Sequence, residues 1–322
     1  MNKTNTLIVK TKQIFITGAS GFIGKNLLKQ LNKKNKYSIS IFSRSDAIVS
    51  DDQKIRIIKG DLLNKRTLDG CLLPENTIIH LAYMWNQSQY KNLQATENLF
   101  NACINAGVKR FIHISTAAVV GRAKDQWVDE KSPSNPKSQY GKTKLAIEDM
   151  LLNLSVKSNI DLVILRPTSI YGINGAPLAK LCKDIKNKNW MINYLRSCLF
   201  GKRAMNLVHI NNLIDTMEFA INYPDKFNGE ILIVSEDEIK ENNFIDVEKM
   251  IREELKINQY PMKIIEFPRV ILKTILKIKN SNIINTQCRF SSEKIKKKYK
   301  LSFNKEFQVG VREYAKWYGK FN

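Results

Sequence analysis

Short apolar runs and longer mixed segments alternate along the first half of the chain. The runs at Gln13–Thr17, Ser38–Ser43, Ile55–Lys59, Thr77–Ala82, Arg110–Ser115 and Leu162–Arg166 have the length of buried strands. Helical periodicity lies between several of them, at Phe22–Leu31, Leu93–Ala106 and Tyr140–Leu154. Such alternation predicts βαβ units and a parallel sheet covered on both faces. With right-handed crossovers the expected fold is α/β, a doubly wound parallel sheet of the Rossmann kind.

After Gly172 the rhythm loosens. Residues 173–200 are mixed, "RAMNLVHINNLIDTMEFAI" (203–221) resumes strand then helix, and 236–322 alternates helical stretches with Lys-rich loops. The expected division is a main domain at 12–172, to which 203–222 returns, and a smaller α/β lobe from 173–202 and 223–322. No internal repeat or low-complexity linker interrupts the chain.

Composition narrows the function. A net charge of +22 over 322 residues raises the question of nucleic acid, but the lysines spread along the whole chain instead of forming one patch. A positive surface favours an anionic small substrate or cofactor. Five scattered cysteines with no CxxC pair exclude a zinc ribbon or disulfide framework, and His80, His113 and His209 each sit among apolar residues. No metal is expected. No run reaches the eighteen or so apolar residues of a membrane span, and Leu7–Val9 is too short for a signal-peptide core, so a cytoplasmic protein is expected. "FPRVILKTILKIK" (267–279) is apolar and basic; a lobe helix, packed on one side and solvated on the other, is preferred over membrane-surface contact.

The stretch "TGASGFIG" (17–24) sits at the first strand-to-helix junction. Gly18 suits the tight turn off the strand, Gly21 a close approach to a pyrophosphate, and Gly24 close packing of helix on sheet. The helix start aims free N–H groups and a positive dipole end at the phosphates. The two-residue gaps between these glycines resemble the short-chain dehydrogenase/reductase superfamily. Length and later motifs resemble its extended branch, the NAD(P)-dependent epimerase/dehydratase family, whose members mostly act on nucleotide sugars. The resemblance covers nearly the whole chain, strongly to about residue 172.

That resemblance implies a nicotinamide dinucleotide laid along the strand ends. It would run against Ser20, Phe22 and Ile23 of the glycine loop. It implies "GDL" (60–62) at the adenine, with Asp61 accepting from the amino group beside Leu62, and "HLAY" (80–83) lining the cofactor through Leu81, Ala82 and Tyr83. Asn92, Ser115, Pro167 and Ile170 align with further cofactor positions. Ser43 stands where NAD-type members carry Asp, and Arg44 follows it. Arg44 suits a 2′-phosphate, with Ser43 and Ser45 adding donors, so NADP(H) is favoured; Asp46 close by keeps NAD(H) open.

The chemistry resides in "YGKTK", where Tyr140 and Lys144 share one helix face. A free tyrosine has a pKa near ~10, and a neighbouring ammonium, with the positive nicotinamide ring, is expected to pull it down. By resemblance Lys144 also holds the nicotinamide ribose, and Thr116 or its neighbour Ser115 supplies the hydroxyl that polarises the substrate oxygen. Members that eliminate water carry an acid directly after that hydroxyl; here Ala117 and Ala118 follow, which argues against a 4,6-dehydratase. What remains is hydride transfer at a carbinol or keto carbon of a nucleoside-diphosphate sugar, by a 4-ketoreductase or 4-epimerase. In "LRPTSIYG" (165–172) Ser169 replaces the family's substrate-contacting asparagine, while Lys202 and Arg203 are candidates for a diphosphate. The Ser169 departure keeps alive an NADPH-dependent reductase of a non-sugar carbonyl. A non-catalytic NADP-binding regulator is a third reading, although such relatives lose the tyrosine or lysine kept here. Helices Leu93–Ala106 and Ala146–Leu154 are candidates for a homodimer.

Overall fold

The computed structural model describes residues 11–44, 55–121, 123, 125–268, 270–271, 274 and 287–321. Its main body contains β1 (Lys12–Thr17), α1 (Phe22–Lys33), β2 (Tyr37–Ser43), β3 (Ile55–Lys59), β4 (Asn76–His80), α2 (Gln89–Asn105) and β5 (Arg110–Ile114). There follow β6 (Trp127–Val128), α3 (Gln139–Val156), β7 (Asp161–Pro167), β8 (Ser169–Tyr171), α4 (Ala179–Asn187) and α5 (Trp190–Phe200). Then come β9 (Leu207–His209), α6 (Ile210–Asn222), β10 (Glu230–Val234), α7 (Phe244–Glu254), β11 (Arg289–Phe290), α8 (Glu293–Lys298) and α9 (Phe307–Phe321).

Seven strands form one sheet in the order β10-β7-β5-β4-β1-β2-β3, every pair parallel. Alternate residues of each strand face opposite layers. Ile14 and Ile16 of β1 enter a core with Leu27 of α1 and Leu213 of α6. Phe15 faces the other way, onto Leu99 of α2 and Leu151 of α3. All seven residues of β7 are buried, as a strand covered on both faces requires. The six expected strands and three expected helices are all present, with ends shifted by a few residues.

The sheet also takes in β10, from a stretch the sequence assigned to the smaller lobe. "EILIV" is only five residues and pairs with β7 in register Glu230↔Val163 across the long insertion between them. The lobe is built from α4, α7 and α9 around Tyr171, Leu207, Phe307 and Tyr314. Two short ladders, β8 with β9 and β6 with β11, tie it to the main body. Most of "FPRVILKTILKIK" lies outside the described residues.

One buried ion pair joins helix to sheet. Arg166 of β7 forks onto Glu148 of α3, with Nε at 3.1 Å from each carboxylate oxygen and Nη2 at 2.5 Å from Oε2. Both side chains are buried. Removing one partner leaves an uncompensated charge, whereas removing both does not. Arg166→Met should destabilise the protein by roughly 3–5 kcal/mol in urea denaturation, and the double variant Arg166→Met/Glu148→Leu should recover most of that loss. Equal losses in the two variants would show that packing, not charge pairing, dominates there.

Candidate active site

From β1 the chain moves outward to β2 and β3, then crosses back to β4 on the other side. The strand ends part at that reversal, and ligands of such sheets bind in the crevice this creates. A cleft of about 850 Å³ opens there. Gly18 turns the chain off β1 at φ +75°, and a Cβ on it would lie 2.6 Å from the Ala82 nitrogen. A Cβ on Gly24 would lie 2.5 Å from Ala19 Cα, so α1 seats against its own entry turn. Gly21 caps α1 with no side-chain hydrogen bond, and the first turn carries no acid. Its orphan N–H groups and dipole therefore remain available to an anion.

The cleft is lined by Gly18, the run Ser20–Gly24, Ser43, Arg44, Asp61, Leu62, Leu81, Ala82, Tyr83, Ser115, Thr116, Tyr140, Lys144, Pro167, Ser169 and Ile170. Parallel strands explain this convergence, because all their C-terminal ends lie along one edge. Asp61 uses one carboxylate oxygen to accept from Leu63 N at 3.0 Å. The buried Ser115 hydroxyl has no hydrogen-bond partner among the described residues, which suits a ligand contact.

Three expected residues, Asn92, Lys202 and Arg203, lie elsewhere. Asn92 is buried under the loop after β4, where its amide bonds both the N–H and the carbonyl of Met84 at 2.9 and 3.1 Å and the carbonyl of Ser88 at 3.1 Å. It braces the loop that carries Tyr83 and does not line the cleft. Arg203 packs over the Phe200 ring, 5.7 Å from its centroid, and holds Phe244 N through its carbonyl, away from the cleft. Ser45 and Asp46 fall outside the described residues.

At the centre, Thr116 and Tyr140 line the same stretch of the cleft, and the Thr116 hydroxyl accepts from Ala118 N at 3.2 Å. Lys144, one turn along α3, is buried and donates from Nζ to the Ile114 carbonyl at 2.7 Å. Its ammonium lies 5.3 Å from the Tyr83 ring centroid, and that ring meets Tyr140 edge-on at 5.0 Å. The protein's own groups do not by themselves produce the expected acidification of the phenol. Burial pushes Tyr140 up to about 12, with Thr116 opposing, while burial pulls Lys144 down to about 8, with Glu148 opposing. Desolvation of each group outweighs the help it receives from its neighbours.

Trp85 was not anticipated. Its ring stacks on Tyr140 at 4.8 Å and 20°, yet it is 72% exposed. The sequence signal was an aromatic pair, "YMW", directly after the fourth strand. Met84, Thr168, Asn174 and Pro177 complete the same end of the cleft. Below it, His80 joins β1 to α2. The only proton of the Thr96 hydroxyl goes to the Asn92 carbonyl, so His80 Nε2 donates to Thr96 at 3.0 Å and Nδ1 accepts from Thr17 at 2.7 Å.

The model of the NAD-dependent epimerase/dehydratase family matches residues 14–235, more than half of the chain. The chain belongs to that family. A UDP-glucose 4-epimerase from Vibrio cholerae is 30% identical over 239 residues, covering 69% of this chain and 70% of that protein. A dTDP-D-glucose 4,6-dehydratase from Dictyostelium discoideum is 26% identical, over 69% of this chain and 57% of its own length. The Bordetella bronchiseptica enzyme WbmG, solved with NAD and UDP, shares the fold at TM-score 0.72 and 16% identity, covering 96% of this chain and 94% of that one. This epimerase/dehydratase-family chain is thus an NAD(P)-dependent enzyme of short-chain dehydrogenase/reductase type. Among its described residues no helix is long and apolar enough to cross a membrane, and no cluster of His, Cys, Asp or Glu is placed to hold a metal.

His80 gives the site a pH signature. Burial first, and then Lys144, lowers it to about 3, below the ordinary 6.5 of an unfolded histidine. Below pH 6.5 the unfolded chain binds a proton that the folded protein excludes, so this residue's share of stability falls as pH drops toward 3. In His80→Gln the urea-measured stability should lose less between about pH 6 and 4, the slope shrinking by up to ~1.4 kcal/mol per pH unit. A slope equal to that of the unaltered protein would contradict the buried neutral imidazole.

Proposed function

We propose that this enzyme transfers hydride at a carbinol or keto carbon, C4, of a nucleoside-diphosphate sugar, as a 4-ketoreductase or 4-epimerase and not as a 4,6-dehydratase. The observation that carries the reading is the convergence of Thr116, Tyr140 and Lys144 on the wall of one cleft, with Lys144 one turn behind Tyr140 on α3. The Vibrio cholerae relative's activity and the NAD and UDP bound by WbmG support the substrate class. Beside Thr116 the chain presents Ala117 and Ala118, and Asp61 is the one carboxylate among the described lining residues. Elimination of water lacks its acid there.

The donor set fits a nicotinamide dinucleotide. The uncapped start of α1 would hold its diphosphate, Ser43 and Arg44 its adenosine ribose, Asp61 its adenine and Lys144 its nicotinamide ribose. That group supplies the hydride donor or acceptor. Thr116 holds the substrate oxygen and polarises it, and Tyr140 moves the proton at that oxygen. A phenol raised to about 12 is protonated at neutral pH and so begins as a donor, the role ketone reduction requires. Alcohol oxidation requires Tyr140 to accept that proton, which added positive charge near the phenol favours. Trp85 offers an apolar platform beside the reacting carbon.

A second reading, reduction of a non-sugar carbonyl, draws on one observation. Among the described residues lining the substrate end, Lys144 is the one cation, and Tyr83, Met84, Trp85, Ile170, Ala176 and Pro177 give that end an apolar character. Thermal shift with UDP or dTDP separates the two, because a bound nucleotide raises the melting temperature by mass action.

With NADPH and a panel of UDP-, dTDP-, GDP- and CDP-linked 4-keto sugars, at least one member should be reduced or epimerised, and Tyr140→Phe should lower kcat by roughly 100- to 10,000-fold. Silence across the panel, or an unaffected variant, would refute the assignment. Arg44 tilts the cofactor toward NADP(H). Arg44→Ala should raise KM for NADPH by roughly 10- to 100-fold and that for NADH little, since only the former loses a charge-assisted bond. Parallel changes for both cofactors would leave NAD(H) as the natural partner.

A further inference from the structure

Helix α5 carries its polarity the wrong way round for a solvated surface. Asn193 and Ser197 are buried, at 2% and 0% exposure, whereas Met191, Ile192 and Leu195 are 54%, 50% and 54% exposed. Hydrogen bonds hold the inward face: Asn193 donates to the Asp184 carbonyl at 3.0 Å, and Ser197 bonds the Asn193 carbonyl and the Glu248 carboxylate. The apolar stripe is left outside.

A second segment extends that stripe. Residues 262–267 run beside α5, fixed by Tyr194 donating to the Lys263 carbonyl at 3.0 Å and by Phe267 N donating to the Cys198 carbonyl at 2.8 Å. They add exposed Met262, Ile265 and Phe267, with Ile265 at 67%. Trp190 stands half-exposed where α5 begins. Isolated apolar side chains on a surface need no explanation, but a run of them spanning two adjoining elements marks an interaction face.

Basic side chains outnumber acidic ones around this face, although exposed Glu266 and the Asp184 that pairs with Lys188 at 3.0 Å also lie there. The sequence holds no acid from residue 185 to 214 and none from 267 to 292. Lys188, Lys202 and Lys263 border the stripe and are exposed. Glu266 accepts the backbone N–H of Lys202 at 3.2 Å.

We propose that this face docks on an anionic lipid bilayer. Apolar side chains enter the boundary of headgroups and acyl chains, Trp190 sits at headgroup level, and the lysines meet anionic headgroups. A second copy of the chain is the poorer occupant. A two-fold interface sets a patch against itself, so the lysine borders would face one another with too few carboxylates to pair them. None of these residues lines the dinucleotide cleft, so the docking face stands independently of the substrate assignment.

The test is co-sedimentation of the full chain with phosphatidylcholine vesicles, with and without about 30% phosphatidylglycerol. Partitioning should be roughly tenfold stronger on the anionic vesicles and should collapse in about 0.5 M NaCl. Ile192→Glu/Leu195→Glu should lower it roughly tenfold, with melting temperature and cofactor binding unchanged. Failure of the unaltered protein to bind anionic vesicles would overturn the proposal, as would equal binding by the double variant. A concentration-dependent dimer in sedimentation velocity, abolished by Leu195→Glu, would assign the face to a second copy instead.

Discussion

The loop leaving β1 and the loop leaving β4 touch backbone to backbone, and the rest of the site depends on that approach. The missing Cβ of Gly18 is what allows it, since any side chain there would strike Ala82. Thr17 and His80, the last residues of the two strands, are bonded across the same seam, and His80 continues to Thr96 of α2. The start of α1 is thereby fixed beside Leu81–Tyr83 and below Ser115 and Thr116. Strand pairing then sets the remaining geometry. β2 brings Ser43 and Arg44, β3 leads to Asp61, and β7 ends at Pro167, all at the same edge of the sheet.

Low dielectric surroundings govern the proton chemistry that this seam supports. Lys144, His80 and His113 occupy one buried neighbourhood, and the two imidazole rings lie 5.4 Å apart. Three cations could not coexist there. Burial holds His113 well below its ordinary value, with Lys144 and His80 adding to the effect, and His80 is depressed in the same way. The charge that survives is the lysine's, which has the Ile114 carbonyl, the face of Tyr83 and, one turn away, Glu148. Neutral histidines thus leave Lys144 as the cation of that neighbourhood.

The first half of this arrangement was legible because its signals are local. Apolar runs define strands, glycine spacing defines the turn, and four residues separate Tyr140 from Lys144 on one helix face. The smaller lobe is different, because side chains tie together segments far apart in sequence. Asn242 bonds both the N–H and the carbonyl of Leu207, at 3.2 and 2.9 Å, and Asn206 reaches Asp237 and the Cys288 carbonyl at 2.6 and 2.8 Å. No periodicity announces such contacts. The same limit explains Asn92 and Arg203, whose residue types suited a ligand but whose surroundings supplied a loop and an aromatic ring instead. Burial was the quantity that spacing could not give for Tyr140, and among the protein's own groups it outweighs the expected acidification of the phenol.

Reduction and epimerisation would draw on the same proton relay, so what separates them is how firmly the dinucleotide is held. An epimerase keeps its cofactor through two opposed transfers, whereas a reductase exchanges it at every turnover. Thr116, Tyr140 and Lys144 contribute equally to either outcome. On the proposed assignment the adenosine end would meet exposed Arg44 beside Ser43, and Asp61, which already shares an oxygen with Leu63 N. An exposed guanidinium there would give a salt-sensitive part of a grip shared with the start of α1 and Lys144. Within the proposed function, such a contact would favour exchange and net reduction, whereas a substrate closing over the nicotinamide end would favour retention and epimerisation.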